Sequence, residues 1–117
     1  MSYNRLTKGT AIVGDLIIDG GGAVTSSPIK AVQAGTASLD PGSISTVSRG
    51  SVTFTLTGAA SGDAIVMMPP SALNDDLIFC GADVTSANTV TVYLYNPTAG
   101  SIDDTARTWK YVWLDLT

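Results

Sequence analysis

Residues 51–57 read SVTFTLT, and this stretch decides the fold class. Successive side chains of an extended chain point to opposite faces, so Val52, Phe54 and Leu56 share one face while Ser51 and the threonines share the other. A strand of this kind is half-buried and needs a second layer to cover its apolar side. Residues 89–95, TVTVYLY, repeat the pattern, with Val90, Val92 and Leu94 alternating with Thr91, Tyr93 and Tyr95.

Working outward from these two stretches, turn residues separate further short strands. After GAASGD comes Ala64 to Met68, AIVMM, a continuous apolar run expected to be buried on both faces. Pro69-Pro70 must end it, since neither proline can donate to a ladder. Leu77 to Val84 reads as the next strand, and SAN at 86–88 suits a tight hairpin in which Asn88 accepts left-handed geometry. Asn96-Pro97 closes the strand that follows, GSIDDTAR is a polar loop, and Thr108 to Leu116 is the last strand. In that strand Trp109, Tyr111 and Trp113 share one face, and Val112, Leu114 and Leu116 the other. Two apolar faces require two partners, one of them the domain's own core. Helical stretches are nearly absent. The expected fold is all-β, an antiparallel β-sandwich or partly open barrel of about six to seven strands.

The first 35 residues have a different texture. Two short apolar pieces, Ala11 to Val13 and Leu16 to Ile18, precede Asp19-Gly20-Gly21-Gly22 and TSSP. Residues 1–35 are therefore expected to form an N-terminal arm or hairpin, and residues 36–117 the β-sandwich module, which Ala37 to Asp40 would begin.

A chain of 117 residues with 44% hydrophobic and 14% charged residues is long enough and apolar enough for one core. Its weakly charged surface suggests subunit contacts, although a threonine-rich β surface facing water has the same composition. The net charge is −4, and the basic residues Arg5, Lys8, Lys30, Arg49, Arg107 and Lys110 are scattered singly. No stripe exists to neutralise several phosphates, which argues against direct nucleic-acid binding. MSYNRLTKGT lacks the apolar region of a secretory signal, and no apolar run reaches the length of a membrane span, so a chain made and kept in a cytoplasm, with no membrane contact, is expected. Cys80 is alone, precluding an intrachain disulfide, and within LIFCGADV it reads as a buried small apolar thiol.

Chemistry is scarce. The absence of histidine removes Ser-His-Asp, Cys-His and His-metal arrangements. Lys8, Lys30 and Lys110 carry no S-x-x-K signature and read as solvated lysines. Asp75-Asp76 and Asp103-Asp104 lack the spacing of a calcium loop and read as turn residues. The glycines at 20–22 are followed by no G-K-[ST]. The expectation is a protein without catalytic residues, cofactor or metal. A face of Trp109, Tyr111 and Trp113 would suit sugar stacking, yet such a stripe is more often core or subunit interface.

Four strings carry a resemblance: LDPGSI at 39–44, GAASGDAIVMMPPSAL at 58–73, SANTVTVYLYNPTAGSID at 86–103 and RTWKYVWL at 107–114. Together they resemble a small β module that recurs in virion structural proteins of tailed bacteriophages. The resemblance implies a structural subunit of the virus particle, made in the host cytoplasm and located in the virion. A capsid decoration (cement) protein that bridges major capsid subunits, often as a trimer, is the favoured form. A tail, knob or fibre component, or a glycan- or receptor-binding module, is the alternative. The interface residues expected from this reading are Leu6, Ile12, Leu16 and Ile17 in the arm and Trp109, Tyr111 and Trp113 in the last strand.

Overall fold

Eight strands run through the computed structural model, which describes residues 29–117: β1 (Ala31–Leu39), β2 (Ser43–Ile44), β3 (Ser48–Thr55), β4 (Ala64–Met68), β5 (Ile78–Ser86), β6 (Thr89–Asn96), β7 (Ile102–Asp103) and β8 (Arg107–Asp115). Among the described residues there is no helix. Two three-stranded antiparallel sheets, ordered β1-β8-β4 and β3-β6-β5, stack face to face, and β2 pairs with β7 at one end. The arrangement is sandwich-like and not closed into a barrel. Consecutive strands repeatedly change sheet, leaving β5 and β6 as the one directly connected pair that are also neighbours.

The strand with the cleanest alternation takes the centre of its sheet. Val90, Val92 and Leu94 of β6 are all fully buried, flanked by Val52 and Phe54 of β3 and by Val84 of β5. Complete burial of such side chains is worth about 1.5–3 kcal/mol each relative to exposure. On the facing sheet, β8 is central and turns Trp109, Tyr111 and Trp113 inward, with exposures of 1%, 8% and 6%. The rings bridge the two layers: Phe54 lies 5.5 Å from Tyr111, and Phe79 meets Trp109 edge-on at 5.5 Å. Leu39, Ile44, Leu56, Met67 and Leu77 complete the core.

β1 is built from small residues, AVQAGTASL, whose intrinsic strand preference is weak. Pairing with β8 over nine positions imposes the strand on them. Gly35 sits opposite Tyr111, and a Cβ there would lie 2.5 Å from the phenol oxygen, so the glycine is what allows the ring to lie across the strand. The strand also crosses the boundary expected at 35/36: residues 31–35 belong to the module, which begins at least at Ala31.

The hairpin expected at SAN is present. Ala87 and Asn88 form its turn, with Asn88 at φ 62° and a bulge between Val84 and Ser86. Asn88 also ties the turn to the β3–β4 loop: its carbonyl accepts from the Leu56 N–H, its Oδ1 from the Gly58 N–H, and its own N–H donates to the Ala59 carbonyl, each at 2.8 Å.

Three expectations are corrected. β4 is buried on one face only, because Met67 points inward while Val66 and Met68 are 53% and 46% exposed on a sheet surface with no third layer over it among the described residues. Cys80 is exposed, since the bulge between Phe79 and Gly81 displaces it from the inward alternation. Trp109, Tyr111 and Trp113 form the core face of β8 rather than an interface, because the inner layer has the space and the partner rings to accept them.

Candidate interaction surface

The outer face of the β1-β8-β4 sheet is built by the same alternation that buries the aromatic residues. If Trp109, Tyr111 and Trp113 point in, then Lys110, Val112 and Leu114 point out, and strand register sets their neighbours. One row across the sheet is Val32, Leu114 and Ala64; the next is Ala34, Val112 and Val66; the third is Thr36, Lys110 and Met68. Val112 and Leu114 are half-buried in the middle, and Val32, at 51%, and Val66 are exposed on either side. Lys110 is the single charged residue in the three rows. A shallow groove of about 410 Å³, lined by Met68, Pro69, Pro70, Ser71, Thr108 and Lys110, continues the face at one end. Apolar rows of this kind, bordered by hydroxyls and one cation, offer contact area and no reactive group.

The opposite outer face, on β3-β6-β5, is polar. Thr53 and Thr55 are exposed, the Arg49 guanidinium stacks 4.5 Å from the centre of the Tyr93 ring, and Tyr95 is half-buried between Arg49 and Ile78.

The buried charged and polar side chains hold loops together. Asp63, 5% exposed, sits before β4. Its Oδ2 accepts from the Ala60 N–H and the Trp113 Nε1–H, both at 3.0 Å. Its Oδ1 accepts from the Leu116 N–H and the Thr117 hydroxyl, both at 2.9 Å. Burial raises the pKa of this carboxyl, but the four hydrogen bonds outweigh it and lower the value from 3.8 to about 2. Asp104 accepts from Arg107 Nη2 at 2.9 Å and Nε at 3.2 Å and from the Asn74 N–H at 3.2 Å. The hydrogen bond from Arg107 holds its pKa below the ordinary carboxylate value and raises that of the arginine. Asn96, fully buried, donates to the carbonyls of Ile44, Ser45 and Gly100 and accepts from the N–H and hydroxyl of Thr98. These residues are structural ties, and none lines the groove.

The expected interface residues divide in two. Leu6, Ile12, Leu16 and Ile17 lie outside the described residues. Trp109, Tyr111 and Trp113 are covered by the opposite sheet, which removes the stacking platform proposed for sugars. The outer face that the structure does present, centred on Val112 and Leu114, was visible in the sequence as the second apolar side of the last strand. Its extension over Val32, Ala34 and Val66 depends on sheet order. The aspartate pairs are not equivalent: Asp75, Asp76 and Asp103 are exposed, Asp76 following the Asn74 turn with its N–H on Asn74 Oδ1, whereas Asp104 is buried. Among the described residues no group of three or more acidic, cysteine or histidine side chains is placed to hold a metal. Comparison with known protein families, with curated proteins and with solved structures finds no match.

Proposed function

We propose that this chain is a virion structural protein of a tailed bacteriophage, a capsid decoration protein that bridges major capsid subunits and self-associates, with a trimer favoured. The sequence resemblance of residues 39–114 motivates the reading. The observation that carries it is the apolar outer face of β1-β8-β4, which suits flat attachment to another protein surface. Each contact of a 117-residue subunit is small, and firm attachment follows from engaging several capsid subunits at once. Such a subunit binds an assembled lattice well and an isolated capsid protein poorly.

Co-sedimentation of the purified chain with mature, empty and immature heads tests the proposal. The expected result is saturable binding to at least one kind of head, reduced about tenfold or more by Val66→Asp, whose side chain is exposed and should leave folding intact. Absence of binding to all three would remove the decoration reading. The tail or receptor reading then rests on the Arg49–Tyr93–Tyr95 face, and glycan binding lost on Tyr93→Ala would favour it.

A further inference from the structure

Six positions among the described residues have positive φ. Four are glycines and a fifth is Asn88, the residue types that adopt left-handed geometry most readily. The sixth is Val47, at φ 47°, where a branched Cβ makes the same geometry strained. The comparison with Asn88 is direct, since each residue is the second of a two-residue turn, Ala87-Asn88 between β5 and β6 and Thr46-Val47 between β2 and β3. Packing does not account for the valine: it is 62% exposed and lies outside the core cluster.

The turn around it is firmly held. Asn96 donates to the carbonyls of Ser45 and Gly100, Thr46 Oγ1 donates to the Thr98 carbonyl, and Ser48 Oγ donates to the Thr46 carbonyl. These bonds fasten residues 45–47 and the β6–β7 loop at 97–101 into one tip of the sandwich. Ser48 pairs with Asn96, so Val47 and Pro97 are the next residues out on adjoining segments. Pro97 and Ala99 are exposed there as well. From Ser43 to Ser48 and from Asn96 to Ile102 the sequence has no charged residue.

Strained residues collect at sites of contact and function, where the surrounding structure holds them in place. We infer that this tip is a preformed contact site whose projecting group is the Val47 side chain, and that its partner is an uncharged apolar recess on a protein surface. Loops already fixed by hydrogen bonds lose little freedom on binding, so a small apolar area is enough to contribute. A charged recess would be desolvated against these neutral residues with no partner for its charge. The composition does not suit a bilayer, because membrane-surface contacts combine aromatic or long aliphatic side chains with lysine or arginine, and residues 45–47 and 97–101 include neither. The identity of the partner rests on the decoration reading: the recess belongs to a capsid subunit, and the tip is a contact additional to the outer face of β1-β8-β4.

Thermal melting and head co-sedimentation of full-length Val47→Asn test the inference. Relief of strain keeps the melting temperature at or above that of the wild type, while loss of the projecting group weakens binding to heads about tenfold or more. Val47→Gly, which also accepts positive φ and has no side chain, should bind as weakly. Wild-type affinity in Val47→Asn overturns the inference and leaves the decoration reading standing, since the wild type still binds. A lower melting temperature for Val47→Asn overturns it too, because the valine then serves the fold. Wild-type protein that binds no head removes the decoration reading and this inference with it. Wild-type binding to phosphatidylcholine vesicles, lost in Val47→Asn, overturns the protein partner in favour of a bilayer.

Discussion

Replacing Asp63 by asparagine should destabilise the protein at neutral pH and remove part of its acid sensitivity. The carboxylate accepts from four donors and, among the described residues, faces no cation, so an amide of the same shape must turn its NH₂ toward two of them. In the better orientation it faces the Leu116 N–H and the Thr117 hydroxyl. The hydroxyl can rotate to accept, which leaves one backbone donor without a partner at about 1–3 kcal/mol. With the weaker bonds of a neutral acceptor added, the expected loss is about 2–3 kcal/mol near pH 7, or roughly 10–20 °C in melting temperature for a domain of this size. The acid limb has a definite sign. The folded-state pKa is depressed, so the stabilisation is fully present above the unfolded value near 3.8 and is lost as pH falls from there to about 2. A drop of that size converts to about 2.5 kcal/mol, and solvent screening at the rim of the sandwich brings it to about 1–2 kcal/mol. Urea unfolding followed by the fluorescence of the buried Trp109 and Trp113 measures both effects. A stability gap between wild type and Asp63→Asn that stays constant from pH 5 to pH 2, or no gap at pH 7, would refute this account of the tie.

Other side chains make separate claims. Asn96→Ala removes the side-chain donor from the Ile44 and Ser45 carbonyls and the acceptor from the Thr98 N–H, while Gly100 keeps the Thr98 hydroxyl, and should cost about 2–4 kcal/mol in urea unfolding. A loss below about 0.5 kcal/mol would show that water replaces the amide. Val47, 62% exposed and β-branched, is held at φ 47°, where such a side chain is strained. Val47→Asn should therefore raise stability by about 1 kcal/mol, seen as an upward shift in thermal midpoint. Cys80 should react with a thiol reagent in the native protein at nearly the rate seen after unfolding, whereas a reaction that waits for denaturant would place it inside.

How much was legible in the sequence depends on what kind of force sets each feature. Strands with strong alternation, β3 and β6, and the exact run of β4 were readable because period and terminators act locally. β1 was missed over most of its length, since Ala, Gly, Ser and Gln give no local signal and its partner lies about 80 residues away along the chain. Ile102–Asp103 carries no strand signal within GSIDDTAR, because its pairing with β2 covers only two positions and is too short to leave a pattern. In β8 the sequence showed two apolar faces without saying which one turned inward. The choice rests on ring contacts with Phe54 and Phe79, which belong to other strands. Asp63 and Asp104 lie in loops and Asn96 ends β6, as their sequence contexts suggest, but their burial arises from the way loops converge on them.

Two apolar faces on the central strand of a sheet leave its alignment weakly defined by polarity. Sliding a half-buried strand by one residue normally buries its polar side, which forbids the slip. In β8 the same slip would exchange Trp109, Tyr111 and Trp113 for Lys110, Val112 and Leu114, with one charge as the only polar penalty. Alignment here has to come from fit. Tyr111 needs the position opposite Gly35, the one place on β1 where its ring can cross the strand, and the Trp113 indole must reach Asp63. A single glycine and a single carboxylate thus act as the two marks against which the strand is set during folding, a role distinct from the energy either contributes once it is in place.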